Sequence, residues 1–184
     1  NSRKIVTEGL LILLQTALKA MENKASYRET SMLIKKIRPN ASIRSISTFN
    51  DNIIAMGGDD QYLYILNGAT KKEIEPIKIN ERIRKVVIAN TNLIYVGTFT
   101  GDVYEIDLNG QNTRDRKNRI YKASSPIKEL HFNANTQQLY IISANDIFLY
   151  DGQDTAQIYA TKSINSSFYN PDINKLYVAT DEGL

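Results

Sequence analysis

The sequence predicts a mainly β protein, a β-propeller of four-stranded antiparallel blades in an incomplete ring, with an N-terminal α-helical hairpin. Three observations carry that expectation. Two series of strand-like anchors recur in phase at intervals near 40 residues. A third strand follows each pair after a tight turn. Over the first 40 residues, by contrast, the apolar period is helical.

The helical part comes first in the chain. Val6, Leu10, Leu13, Ala17 and Met21 fall on one face at three- and four-residue spacing, widened by Leu11, Leu14 and Leu18. No proline interrupts them. Ser26-Tyr27-Arg28-Glu29 reads as a capping box that starts a second helix, which carries Leu33, Ile37 and Met32. Lys35, Lys36 and Arg38 suit its last turn, and Pro39 stops it. Residues 1–40 are thus expected to form a helical connector whose apolar stripe docks on protein.

From about Ala41 the period changes to that of strands. Ile43-Arg44-Ser45-Ile46, Ile83-Arg84-Lys85-Val86, Ile127-Lys128-Glu129-Leu130 and Ile164-Asn165-Ser166-Ser167 read as one strand written four times, at spacings of 40, 44 and 37. The anchors Ile54, Ile94, Leu139 and Leu176 open a second strand at spacings of 40, 45 and 37. The third strand is Tyr62 to Asn67, then Val103 to Asp107, then Ile147 to Asp151. A more polar fourth is drawn at Glu73 to Ile79, Arg119 to Ala123 and Gln157 to Lys162. Four short strands per unit of about 40 residues is a propeller blade. An unrelated antiparallel sandwich has no reason to repeat its strand order.

The units are expected at about 43–82, 83–126, 127–163 and 164–184. The last stops after its second strand, and the chain starts with Asn rather than Met. The sequence is therefore expected to be part of something longer, its ring completed by further blades or by another chain, and by itself oligomeric or aggregation-prone.

Composition narrows the function classes. With no cysteine, disulfides, thiolate zinc sites and cysteine nucleophiles are excluded, and a single histidine excludes a multi-histidine metal centre. The net charge is +3. Residues 1–40 hold eight Lys/Arg against three Asp/Glu, and residues 41–184 hold 15 against 17. The blades are nearly neutral, so nucleic acid is not expected as a partner. The apolar run Leu10 to Leu14 is too short for a membrane span or a signal peptide, and an intracellular, cytoplasmic protein is the expectation.

Leu93-Ile94-Tyr95-Val96-Gly97, followed by Gly101-Asp102-Val103-Tyr104-Glu105-Ile106-Asp107, resembles the WD-repeat-like propellers. Leu66-Asn67, Ile106-Asp107 and Tyr150-Asp151 stand where that family has its terminal Trp-Asp pair. There is no tryptophan and no Gly-His pair, so the family's Asp-His-Ser-Trp network cannot be assembled. The resemblance covers residues 41–184 and implies fold rather than function. Leu176 to Leu184 also looks like the repeats of sensor propellers in bacterial two-component regulators. The stretch Leu13 to Ala20, leading into the first blade, is similar to the connector that joins STAND-type domains to propellers in bacterial proteins.

Candidate sites are few. His131, between Leu130 and Phe132, has no Gly-x-Ser-x-Gly elbow to serve and reads as structural. Gly57-Gly58 precedes Asp59-Asp60, which would repel phosphate, and no P-loop lysine follows. Asp60, Asp102, Asp146 and Asp181 recur at the turn between second and third strands. They form either a ring of carboxylates at one mouth, for a cation or a basic peptide, or turn residues that bond their own backbone. Arg114 to Arg119 reads as a solvated basic loop without the interleaved aromatics that stack on bases. The tyrosines Tyr62, Tyr64, Tyr95, Tyr140 and Tyr177 fall on strands. The resulting expectation is a non-catalytic recognition or scaffold module of a larger bacterial protein, without cofactor, working through a protein partner or an upstream effector domain. A small-ligand sensor propeller and a structural subunit of a large assembly are the alternatives.

Overall fold

A computed structural model describes residues 42–50, 53–67, 72–110 and 116–181. The chain divides into two units, 1–41 and 42–184. The expected helical connector lies outside the described residues, so the account that follows concerns the second unit.

Runs of β-branched and aromatic residues, punctuated by Asn, Asp and Gly, become antiparallel strands. β1 (Ile43–Phe49), β2 (Ile53–Gly58), β3 (Tyr62–Asn67) and β4 (Lys72–Lys78) form the first sheet in chain order. β5 (Ile83–Asn90), β6 (Leu93–Thr98), β7 (Asp102–Asp107) and β8 (Lys117–Lys122) form the second. β9 (Glu129–Asn133), β10 (Gln138–Ile142), β11 (Asp146–Tyr150) and β12 (Thr155–Ala160) form the third. β13 (Ile164–Asn170) and β14 (Lys175–Thr180) pair as a hairpin. The outer strands start one or two residues earlier than the polar pattern predicts. As a result Lys117 and Asn118, expected in a solvated loop, lie in β8, where they pair with Ile106 and Glu105, and Arg119, the expected start of the strand, pairs with Tyr104. Arg114 and Asp115 are outside the described residues.

Apolar faces are buried between successive sheets. Ala55, Leu63, Ile65 and Ile77 of the first sheet pack on Ile83, Val86, Ile94, Val96 and Ile106 of the second. Tyr95 and Val103 pack on Ile127, Leu139, Ile141 and Tyr150 of the third. Ile142 and Ile147 meet Ile164, Leu176 and Val178. A central strand such as β6 is therefore buried on both faces from Ile94 onward, unlike an ordinary half-exposed strand.

Two glycines set the sheet spacing. A Cβ on Gly57 would lie 2.5 Å from Ile83 Cγ2, and one on Gly97 would lie 2.6 Å from Ile127 Cγ2. Ile83 opens β5 and Ile127 lies two residues before β9, and each fills the notch left by the glycine one sheet back.

First strands of neighbouring sheets lie side by side. The Val86 and Ile88 amides donate to Ser45 Oγ and Ser47 Oγ at 3.0 and 3.1 Å. Lys85 Nζ sits 2.9 Å from Glu129 Oε2. His131 Nε2 and Ser167 Oγ are 2.9 Å apart. Among the described residues no helix is long and apolar enough to cross a membrane.

Candidate protein-interaction rim

Antiparallel strand order brings the turns β2–β3, β6–β7 and β10–β11 to the same end of each sheet as the linker into the next sheet. Backbone bonds join them: the Ile127 amide donates to Thr98 O at 3.1 Å, and the Ile164 amide to Ala144 O at 2.7 Å. This end is the rim on which the four recurrent aspartates sit.

A repeated bulge shapes the rim. The pairing of first and second strands shifts register between Ile43 and Ser45, between Ile83 and Lys85, and between Ile164 and Ser166. The residues skipped are Arg44, Arg84 and Asn165. A bulge frees one residue from the ladder and re-aims its side chain. Each of the three reaches the first residue of its own sheet's next turn. Arg44 Nη2 is 2.6 Å from Asp59 Oδ2, and the Arg84 guanidinium lies 5.3 Å from the centre of the Phe99 ring. Asn165 Nδ2 donates to Asp181 Oδ1 at 2.8 Å. In the third sheet the equivalent Lys128 gives its ammonium to the carbonyl of Ile164 instead.

Sheets one and two are tied at this rim. Arg82, in the linker before β5, donates from Nε and Nη2 to Asp59 Oδ1 at 3.0 and 2.9 Å, and its guanidinium stands 4.5 Å from the Phe99 ring. Hydrogen bonds from Arg44 and Arg82 hold the Asp59 carboxyl below the ordinary carboxylate range. Glu81 accepts from Thr100 Oγ1 and, at 2.9 Å, from the Tyr104 hydroxyl. Burial, reinforced by Glu81, pushes the Tyr104 hydroxyl pKa well above its usual value.

The four aspartates occupy equivalent turns in unlike surroundings. Asp60 Oδ1 accepts the Tyr62 amide at 3.2 Å, an Asx-type turn, and Oδ2 accepts the Tyr64 hydroxyl at 2.8 Å. Asp102 is 2% exposed and is held by Lys122 Nζ at 2.5 Å, Arg119 Nη1 at 3.3 Å and Thr100 Oγ1 at 3.1 Å. Burial raises its pKa, but hydrogen bonds from Lys122 and Thr100 outweigh that and keep it low. Asp146 Oδ1 accepts from Gln157 Nε2 at 2.7 Å, and Asp181 from Asn165. Asp102 is thus a neutralised, buried hub, whereas Asp146 and Asp181 meet neutral amide partners.

The remaining candidates resolve into structural roles. His131 is half-buried against Ser167, and desolvation lowers its pKa. Arg116 Nε donates to Gly110 O at 2.8 Å, Lys117 Nζ to Ile79 O at 3.2 Å, and Arg119 engages Asp102, so these cations are absorbed by the fold. Arg44, Asp59, Arg82 and Phe99 were not singled out as site residues from sequence. The one signal available was the cation that follows three of the four anchor isoleucines, Ile43, Ile83 and Ile127. Among the described residues no cluster of His, Asp or Glu is placed to hold a metal ion.

A family model described as the Pep3/Vps18/deep orange beta-propeller domain matches residues 38–181. No curated protein sequence matches the chain. Among solved structures, the crystal structure of the computationally designed Ika4 protein superposes with a TM-score of 0.62 at 14% identity, over 79% of this chain and 89% of that one. At that identity the likeness speaks for the fold alone.

Proposed function

The chain belongs to the Pep3/Vps18/deep orange β-propeller family, and from that premise we propose that it is a non-catalytic protein-recognition or scaffold module. Membership of a propeller family carries the reading, because propellers hold variable turns on a rigid strand frame and use them to bind. The rim described above supplies such turns. Within it, Asp146 and Asp181 are the carboxylates offered to a basic partner segment, while Asp60 and Asp102 brace their own sheets. The leucine pattern of residues 13–20 supports a connector to an upstream effector domain of the STAND type.

Affinity capture by the tagged chain, compared with its Asp146→Asn/Asp181→Asn variant, tests the reading. A defined protein retained by the parent and lost by the variant is the expected result. Capture that ignores the substitutions overturns the rim assignment. Turnover of any substrate that disappears on His131→Ala overturns the non-catalytic reading.

A further inference from the structure

We infer that the β6–β7 turn and the start of β5 form a docking point for an acidic peptide segment, whose carboxylate is received by Arg84 beside Phe99. The inference rests on the recognition reading above and names the chemistry of one partner segment.

The repeated bulge supplies the first observation. In the first and fourth sheets the residue it projects finds a carboxylate on the following turn, Asp59 or Asp181. In the second sheet that position is Phe99, so Arg84 meets a ring where its counterparts meet an acid. No ion pair or hydrogen bond joins the Arg84 side chain to any described residue. A guanidinium stacked on a ring keeps its N–H groups in its own plane, free to grip a carboxylate through two parallel bonds.

The second observation is the local charge. Arg44 and Arg82 share the single carboxylate of Asp59 and are about half exposed, while Arg84 shares the Phe99 ring with Arg82. Glu81 is already engaged by Thr100 and Tyr104. Arg84 is the arginine of this cluster that no described carboxylate pairs.

Rigidity is the third. The Phe99 amide donates to Arg82 O at 3.0 Å. Gly101 adopts φ +95, where a Cβ would strike Ala123 O at 2.6 Å, so the turn is fixed from both sides. An arginine held in place by an aromatic ring loses little freedom on binding, which is the composition of an interface hot spot. A polyphosphate chain fits less well, because Asp59, Asp60 and Glu81 flank the patch and repel a continuous line of charge. One carboxylate on a peptide meets only the arginines.

The test uses the whole chain and a short fluorescein-labelled peptide of alternating Glu and Leu, followed by anisotropy at low salt. Saturable binding is expected, about ten-fold weaker in Arg84→Gln, also weakened in Phe99→Leu, and absent for the matching Gln–Leu peptide. Melting curves of both variants should match the parent. No binding of the acidic peptide, equal binding by Arg84→Gln, or tighter binding of an oligothymidylate of similar length overturns the inference. If the peptide fails while Asp146/Asp181-dependent capture persists, the inference falls and the recognition reading stands. If the peptide binds as expected while Asp146/Asp181-dependent capture fails, the inference stands and the assignment of Asp146 and Asp181 falls.

Discussion

Arg44 and Asp59, fifteen residues apart, are joined by Nη2–Oδ2 at 2.6 Å, and Arg82 from the linker into the next sheet takes the other oxygen of the same carboxylate at 2.9 Å. One aspartate therefore closes the bulge of its own sheet and ties the first sheet to the second. The same bulge in the second sheet delivers Arg84 to Phe99, and in the fourth it delivers Asn165 to Asp181. A single backbone device thus produces an ion pair, a cation–π contact and an amide–carboxylate bond at three of the four rim positions. The frame repeats while its chemistry varies.

The glycine notch yields the sharpest stability prediction. Gly97→Ala places a methyl 2.6 Å from Ile127 Cγ2 in a packed interface, and overpacking of that kind costs about 1–3 kcal/mol. Ile127→Ala alone leaves a cavity and costs about 2–5 kcal/mol. The two changes relieve one another, so the double variant should lose measurably less than the sum of the singles in chemical denaturation. Strict additivity would show that the two residues do not meet.

Asp102→Asn should destabilise the second sheet by about 1–3 kcal/mol, since it strips the charge from a buried acceptor facing Lys122 and Arg119. The sign with pH follows from the lowered carboxyl pKa. The parent's advantage is complete above the ordinary carboxylate range and fades as pH falls through the folded-state value. Parent and variant melting temperatures should therefore converge in acid. A constant gap down to strongly acid pH would contradict the assignment.

How much of this was legible beforehand differs from element to element. Apolar anchors such as Ile83, Ile94 and Val103 announced the inner strands, because burial between two sheets demands an almost unbroken apolar run. β8 and β12 were placed late, since an outer strand packs little and its polar residues look like loop; Lys117 and Asn118 were left out of β8 for that reason. The recurrent aspartates were visible as a spacing, but their environments were not. Nothing in the sequence alone distinguishes Asp102, buried under two cations that follow it by 17 and 20 residues, from Asp146 beside an amide. The bulge was hidden for a simpler reason. Ile43-Arg44-Ser45 reads as ordinary alternation until the register shows Arg44 skipped.

His131 should make the protein more sensitive to mild acid. Desolvation lowers its pKa below the ordinary 6.5, opposed by Glu129 and helped by Lys85, with Ser167 beside the ring. The folded state therefore favours the neutral imidazole. That contribution is complete above the unfolded-state pKa and is lost as pH falls below it, because the unfolded chain takes up the proton first. Melting temperature should drop between roughly pH 7 and pH 5 in the parent. The slope should be flatter in His131→Gln; identical slopes would remove His131 as the source.

The serines of β1 make the last prediction. Ser45 and Ser47 accept the amides of Val86 and Ile88 at 3.0 and 3.1 Å, so two N–H groups on the side of β5 that faces β1 are satisfied by side chains instead of by a strand. Ile88 is buried, and its amide has no easy route to water when Ser47 is shortened to alanine. An orphaned amide of this kind costs about 1–3 kcal/mol. Ser47→Ala should accordingly lower stability and speed hydrogen exchange at Ile88 while leaving Ile94, whose partners lie within its own sheet, nearly as protected as before. Ser47→Thr keeps the hydroxyl and should restore most of the protection. If exchange at Ile88 were unchanged in the alanine variant, the Ser47 hydroxyl bridge between β1 and β5 would have no energetic role.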